Sequence, residues 1–470
     1  MIYLDQHSSE PIYRQIYQQI RNDITDGSLA KNTPLKSLRV MEKELSISRN
    51  TVDRAYQQLS AEGYIRSVKG MGYFVEDISS FGGSKIKKQP AHTGESQYRK
   101  QATVQYDFDF ESIEADLFPW VKWKKCVKEA LSKDSSHEVV TYEDGKGSPQ
   151  LRQSLADFLH RHRGVKCDPD QIIICPGTQY AVEIICSIFS PTTHRFAFEE
   201  PGYKAMRYLI EQCGYSVTSI PVVESGLYYE LLIRSNCNLL YATPSHQFPT
   251  GYVTSIATRN QLLKWAYENK DAYIIENDYD SEFRHGSLPI PSLQSLDEYQ
   301  KVIYIGTFSK MLSPAIRCAY MVLPWPLVDA FEKRYQYFNA MIPAYHERAI
   351  AEMIDSGALE RHLRNISIID EGKYEALSSA LKDYLSDYVD VLGAPAGVHT
   401  MVRVRGCTNQ KDLLDFLEKR SIRIYGIKEH CHDQINAYEN VFLMGYNSMS
   451  PEKLRKGCQA LAKALKEYFA

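Results

Sequence analysis

At 470 residues the chain is long enough for two to four domains of about 100–200 residues each. Its 44% hydrophobic and 24% charged residues supply packed cores and exclude global disorder. The charge is unevenly divided, with ten basic against nine acidic residues in 1–76, five against two in 77–103 and 40 against 47 beyond, so a neutral to basic front is joined to an acidic body, a balance compatible with nucleic-acid contact at the front.

In chain order, Pro11 suits a first helical turn, Ile12, Ile16, Ile20 and Ile24 recur every four residues, and Gly27 suits a helix end, which predicts an amphipathic helix. Ser37 caps LRVMEKEL, Ser46 to Ser48 break the pattern, and RNTVDRAYQQLSAEG carries Val52, Tyr56 and Leu59 on one face; two short helices meeting at a tight turn are expected. YIRSVKGMGYFV then offers two short β-rich runs around Lys69, Gly70, Met71 and Gly72. This order of elements describes a winged helix-turn-helix over residues 1–76. Residues 77–103 lose periodicity and gain Gly, Ser and Lys, as a linker does.

From residue 104 to 470 short apolar strands alternate with helical stretches, which argues for a mostly parallel α/β sheet. Five strands end in polar loops: Ile172 to Cys175 into Pro176-Gly177-Thr178, Phe196 to Phe198 into EEPGY, Leu239 to Ala242 into TPSHQFPTG, Tyr273 to Ile275 into ENDYD, and Val302 to Ile305 into GTFSK. Ligands of open α/β sheets sit beyond the carboxyl ends of such strands, so the loops are expected to converge on one crevice. From about residue 345, HTMVRVRG and NVFLMGY among long helical segments predict a smaller α+β lobe.

Lys310 sits in GTFSK with Thr307 and Ser309 just before it and Arg317 after it. One short segment thus supplies an amine able to form a Schiff base and groups able to hold a phosphate. Gly177 and Thr178 stand where a strand turns into a helix, whose free N–H groups favour an anion. Ten cysteines are scattered without a CxxC pair, as suits reduced thiols. The triplet His430-Cys431-His432 has no partner pair, and no metal site is expected. The opening MIYLDQHSSEP has neither a basic start nor a continuous apolar stretch, and no window reaches ~18 apolar residues; a cytoplasmic protein without membrane contact is expected.

The GTFSK segment and its companion loops resemble the fold-type I enzymes that use pyridoxal 5'-phosphate. PIYRQIYQQI, SLRVMEKELSISRNTVDRAYQQLSAEGYI and KGMGYFV resemble the GntR family of bacterial repressors. Together the halves resemble the MocR/GabR type of transcription regulator, a GntR winged helix fused to a class I aminotransferase-like domain, and DLFPWVKW, from Asp116 to Trp123, is typical of that domain's entry. The resemblance implies that Lys310 carries the cofactor, that Tyr203 stacks on its pyridine ring, that Gln247 and Tyr279 bond its ring hydroxyl, and that Gly177, Thr178, Thr307, Ser309 and Arg317 hold its phosphate. Tyr142 begins a segment that in relatives reaches toward a neighbouring subunit.

Three departures stand out. Lys36 replaces the usual proline before the second helix. The two acids that usually precede the tyrosine are Asn277 and Asp278; counted from Tyr279, Asn277 takes the position facing the pyridine nitrogen, with Asp278 as the competing assignment. NVFLMGY lacks the arginine that anchors a substrate carboxylate in aminotransferases, leaving Arg403, Arg405 or Arg423 to supply it.

The resemblance implies a domain-swapped homodimeric regulator that reads double-stranded operator DNA with Ser48, Arg49, Asn50 and Thr51 at the start of the recognition helix, Arg39 before it and Lys69 in the wing. Its aminotransferase-like domain is expected to sense an amino compound, or the cofactor itself, through aldimine chemistry at Lys310. Two alternatives are an active aminotransferase with an autoregulatory DNA-binding domain and a DNA-binding protein whose second domain only dimerises. A neutral Asn277 stabilises a protonated pyridine ring less well than a carboxylate does, which argues against efficient turnover.

Overall fold

The isoleucines spaced four apart build the first core of the computed structural model, which describes residues 2–5, 8, 10–78, 104–132, 142–280, 282–283, 290–393, 397–432 and 438–470. Ile12–Thr25 is a helix that buries Ile16, Ile20 and Ile24 against Val52, Ala55, Tyr56 and Leu59 of the helix Arg49–Ala61 and Met41 of Leu38–Leu45. Each such aliphatic side chain contributes about 1.5–3 kcal/mol when fully buried. Ser37 caps the middle helix, which ends at Ser46 in the left-handed region. Two residues later Ser48 caps the third, its hydroxyl accepting the Thr51 N–H at 3.3 Å. Ile65–Val68 and Gly72–Val75 pair antiparallel as a hairpin, reversing through Gly70 and Gly72 at φ 81° and 105°, values that favour glycine.

The chain divides into Met1–Lys100 and Gln101–Ala470. Of the expected linker, residues 79–103 lie outside the described residues. The second unit is built on an eight-stranded sheet in the order Ile172–Cys175, Ala319–Val322, Val302–Thr307, Tyr273–Asp278, Leu239–Ala242, Phe196–Glu200, Val217–Val223, Gly226–Leu227. Neighbours pair in parallel except around Ala319–Val322 and Gly226–Leu227, which run antiparallel to theirs. The sheet is therefore mostly parallel and covered on both faces, with buried clusters around Leu155 and Tyr304, around Ile185 and Ile305, and around Leu240 and Leu263.

Three strands run further than their apolar stretches, to Glu200, Asp278 and Thr307. The polar residues that seemed to end them are buried instead, and two glutamates among them are satisfied there. Glu199 accepts from the Thr243 N–H and hydroxyl, at 3.1 Å and 2.6 Å, and Glu276 from the N–H groups of Leu293 and Gln294, at 2.7 Å and 2.8 Å. The last part of the chain adds an antiparallel four-stranded sheet, Val389–Leu392, His399–Val404, Val441–Gly445 and Tyr425–Gly426, whose core includes Leu377 of the helix Ala358–Leu385 and Leu461 of Pro451–Tyr468.

Candidate cofactor cavity and DNA-reading helix

Beyond the carboxyl ends of the parallel strands lies a cavity of about 260 Å³. Lys310 reaches it from the short helix Phe308–Met311, directly after Val302–Thr307. Its Nζ donates to the carbonyls of Phe110 at 2.8 Å and Glu111 at 3.0 Å. Burial pushes its pKa below the ordinary lysine value, against the pull of Asp280, Glu111 and Asp109, which favours the free, nucleophilic amine. Thr307 and Ser309 line the same cavity, their hydroxyls 3.0 Å apart, and the Ser309 N–H donates to Thr307 at 3.1 Å.

Thr178 opens the helix Thr178–Ile188 behind Gly177 at φ 111°. Arg317, itself left-handed at φ 50°, lays its guanidinium against this helix start and donates to the Pro176 carbonyl at 3.3 Å. A β-carbon on Gly177 would meet that guanidinium, the movable end of a long side chain, so it is the backbone conformation that calls for glycine here. Bare amides, hydroxyls and a cation together form an anion cradle.

Tyr203, Asn277 and Tyr279 also line the cavity. Tyr203 meets Phe248 edge-on, ring centroids 5.5 Å apart. The Tyr279 hydroxyl lies 3.0 Å from His246 Nδ1, which is 2.8 Å from Asp280 Oδ2, so the ring is held from behind. Asn277 Oδ1 is buried and takes no hydrogen bond among the described residues.

Two expected cavity residues lie elsewhere. The Gln247 amide is used up in a buried network: its Nε2 donates to Pro201 O at 2.9 Å and to Phe248 O at 2.6 Å, and its Oε1 accepts from the Thr250 N–H at 3.1 Å. Phe248, the next residue, lines the cavity instead. Asp278, one residue beyond Asn277 on an extended strand, points to the other face. There its Oδ2 accepts from Arg163 Nε at 2.7 Å and the Tyr304 hydroxyl at 2.6 Å. None of the three arginines considered for a carboxylate lines the cavity: Arg403 is exposed, Arg405 pairs with Asp390, and Arg423 pairs with Asp107 and Glu418. Tyr142 is 86% exposed.

Sequence reasoning missed Phe110, Phe248 and His399 of the cavity wall and the Arg163 partner of Asp278. The Lys310 hydrogen bond to the Phe110 carbonyl spans 200 residues, and no local spacing could have joined them.

In the first unit Arg39, Ser48, Arg49, Asn50 and Lys69 are exposed and Thr51 is half-buried. Arg49 and Asn50 begin the third helix and Lys69 sits in the hairpin turn. The hydroxyls of Ser48 and Thr51 are 2.8 Å apart, and Ser48 caps the helix start. Lys36 pairs with Glu44 at 2.5 Å.

Residues 12–75 match the bacterial regulatory proteins of the gntR family, and residues 118–461 match aminotransferase class I and II. The HTH-type transcriptional regulator YhdI of Bacillus subtilis is 34% identical over 98% of this chain and 97% of its own length. The chain belongs to the MocR/GabR-type transcription regulators. The protein named Probable rhizopine catabolism regulatory protein MocR, of Rhizobium meliloti, is 28% identical over 99% of this chain and 96% of its own. The second unit shares its fold with the multiple substrate aminotransferase of Thermococcus profundus, at TM-score 0.70 and 23% identity over 79% of this chain and 93% of that one. A MocR/GabR-type regulator of this build binds pyridoxal 5'-phosphate in its aminotransferase-like domain. The residues present fit that group, since the cavity offers a buried amine, an anion cradle that a β-carbon would fill, and the open carbonyl of Asn277. Among the described residues no helix is long and apolar enough to cross a membrane.

Proposed function

We propose that this regulator holds pyridoxal 5'-phosphate on Lys310 and uses it to sense an amino compound, or the cofactor itself, changing the affinity of a homodimer for its operator. The observation that carries this reading is the convergence of Lys310, Tyr203, Tyr279, Thr178 and Arg317 on one cavity in a chain that also carries a GntR winged helix. When bound, the cofactor supplies an aldehyde that condenses with primary amines. The chain's own part is to present Lys310 as a free amine, and Gly177, Thr178, Ser309 and Arg317 would hold the phosphate while Tyr203 and Asn277 would meet the ring.

Sensing is favoured over turnover by the side chain that faces the cavity. Asn277 lines it while the neighbouring carboxylate of Asp278 is engaged with Arg163 and Tyr304, so no carboxylate from this strand end is at hand to favour a protonated ring nitrogen. Coupling between effector and DNA is typically ~1–3 kcal/mol, several-fold to hundredfold in affinity. Borohydride treatment followed by peptide mapping tests the assignment: the reduced adduct is expected on Lys310, and an adduct on another lysine, or none, refutes it. Lys310→Ala is expected to retain operator binding in gel shifts and to lose its response to amines.

A further inference from the structure

We infer that the amino compound sensed at this site is an amino alcohol without a carboxylate, its hydroxyl donating to His399 Nδ1. This inference rests on the reading just given of Lys310 and its cofactor. His399 lines the cavity and is 3% exposed. Its Nε2 lies 3.0 Å from the Pro249 carbonyl; a carbonyl only accepts, so Nε2 carries the hydrogen. Burial, with His246, Lys310 and His430 nearby, pushes the His399 pKa down to about 3, so the ring is neutral near pH 7 and Nδ1 is a bare lone pair. That atom is buried and has no hydrogen-bond partner among the described residues. His399 lines the cavity, and a ligand that brings a donor would satisfy this unpartnered acceptor.

The surroundings decide which donor and what is refused. Phe110 and Phe248 rings lie 5.7 Å and 5.6 Å from the His399 ring, and the nearby buried carboxylate of Asp280 is already paired with His246. Glu111 also lines the cavity but is exposed to water; beside His399 the wall is Phe110 and Phe248, where a second ammonium would lose its hydration at a cost, whereas a hydroxyl needs only the lone pair. Among the described residues lining the cavity the cations are Lys310 and Arg317, and Arg317 is held against Gly177 at the cradle. The late strand Val441–Gly445 brings Leu443, buried in one apolar cluster with Phe110 and Val398. A carboxylate entering this side of the cavity would meet apolar side chains and a lone pair, both of which disfavour it.

The test titrates the holoprotein with ethanolamine, 3-aminopropanol, 4-aminobutanol and 5-aminopentanol, each beside the alkylamine and the amino acid of matched length, reading affinity from the cofactor's visible spectrum and from calorimetry. At one chain length or more the alcohol is expected to bind about tenfold tighter than both counterparts. Amino acids binding tighter at every length, or alcohols matching alkylamines throughout, would overturn the proposal. His399→Phe should erase the advantage of alcohol over alkylamine, and His399→Gln, whose amide can donate to Pro249 and still accept, should restore at least part of it; an advantage unchanged in His399→Phe also overturns it. If the Phe variant does not fold, the wild-type series and the Gln variant still decide. A holoprotein that shows no cofactor band, or a Lys310→Ala variant that binds the amines as well as wild type does, would defeat the reading of the site itself and this inference with it.

Discussion

The winged-helix unit keeps its charges in water, whereas the aminotransferase-like unit takes them inside. In the first, the buried set is Ile16, Ile20, Val52, Leu59 and their apolar neighbours, with Gln15 the buried polar residue among those described. In the second, Arg163, Glu199, Glu276, Asp278, Asp280 and Lys373 are all buried. The difference follows from what each binds. A DNA-reading surface works through exposed side chains on a small rigid core, while a cavity for a charged cofactor needs polar groups held away from water by other polar groups. Stability and chemistry are therefore separable in the first unit and entangled in the second.

The largest expected effect tests that entanglement. Arg163 and Asp278 have side chains only 2% and 1% exposed, and removing one partner of such a pair typically costs about 3–5 kcal/mol, because the other charge stays buried and unpaired. Arg163→Ala should therefore destabilise the second unit by that order in chemical denaturation, although Arg163 does not line the cavity. A loss below ~1 kcal/mol would mean that the pair is reached by water and that the contrast between the units is weaker than drawn.

Arg49→Ala probes the other side of the comparison. The side chain is exposed at the start of the recognition helix, so operator affinity in gel shifts should fall by about 1–3 kcal/mol while the melting temperature and cofactor content stay unchanged. Equal affinity would remove this helix start from the docking surface. The smallest effect is expected at Ser48, whose hydroxyl caps Thr51: Ser48→Ala should lower the stability of the winged helix by about 1 kcal/mol, and Ser48→Asp, which can still cap, should recover most of that loss in thermal melts.

The sequence by itself determined the elements whose signal is periodic or local. The four-residue spacing of isoleucines, the serine caps at Ser37 and Ser48, and the hairpin glycines are visible as such because one face of a helix or one turn decides them. The GTFSK and Pro176-Gly177-Thr178 loops were legible for the same reason, each being a strand end next to a helix start. Only the tertiary structure decided which side chains of those loops meet. It engaged Gln247 with Pro201, Phe248 and Thr250 and brought Phe248 to the cavity, and it sent Asp278 to Arg163, 115 residues away in sequence, while leaving Asn277 with Lys310 in the lining. It also joined Phe110 and His399, which are far apart in the chain. The physical reason is that a buried polar group needs a partner and not a particular neighbour in the chain, so its position is set by whichever distant residue satisfies it.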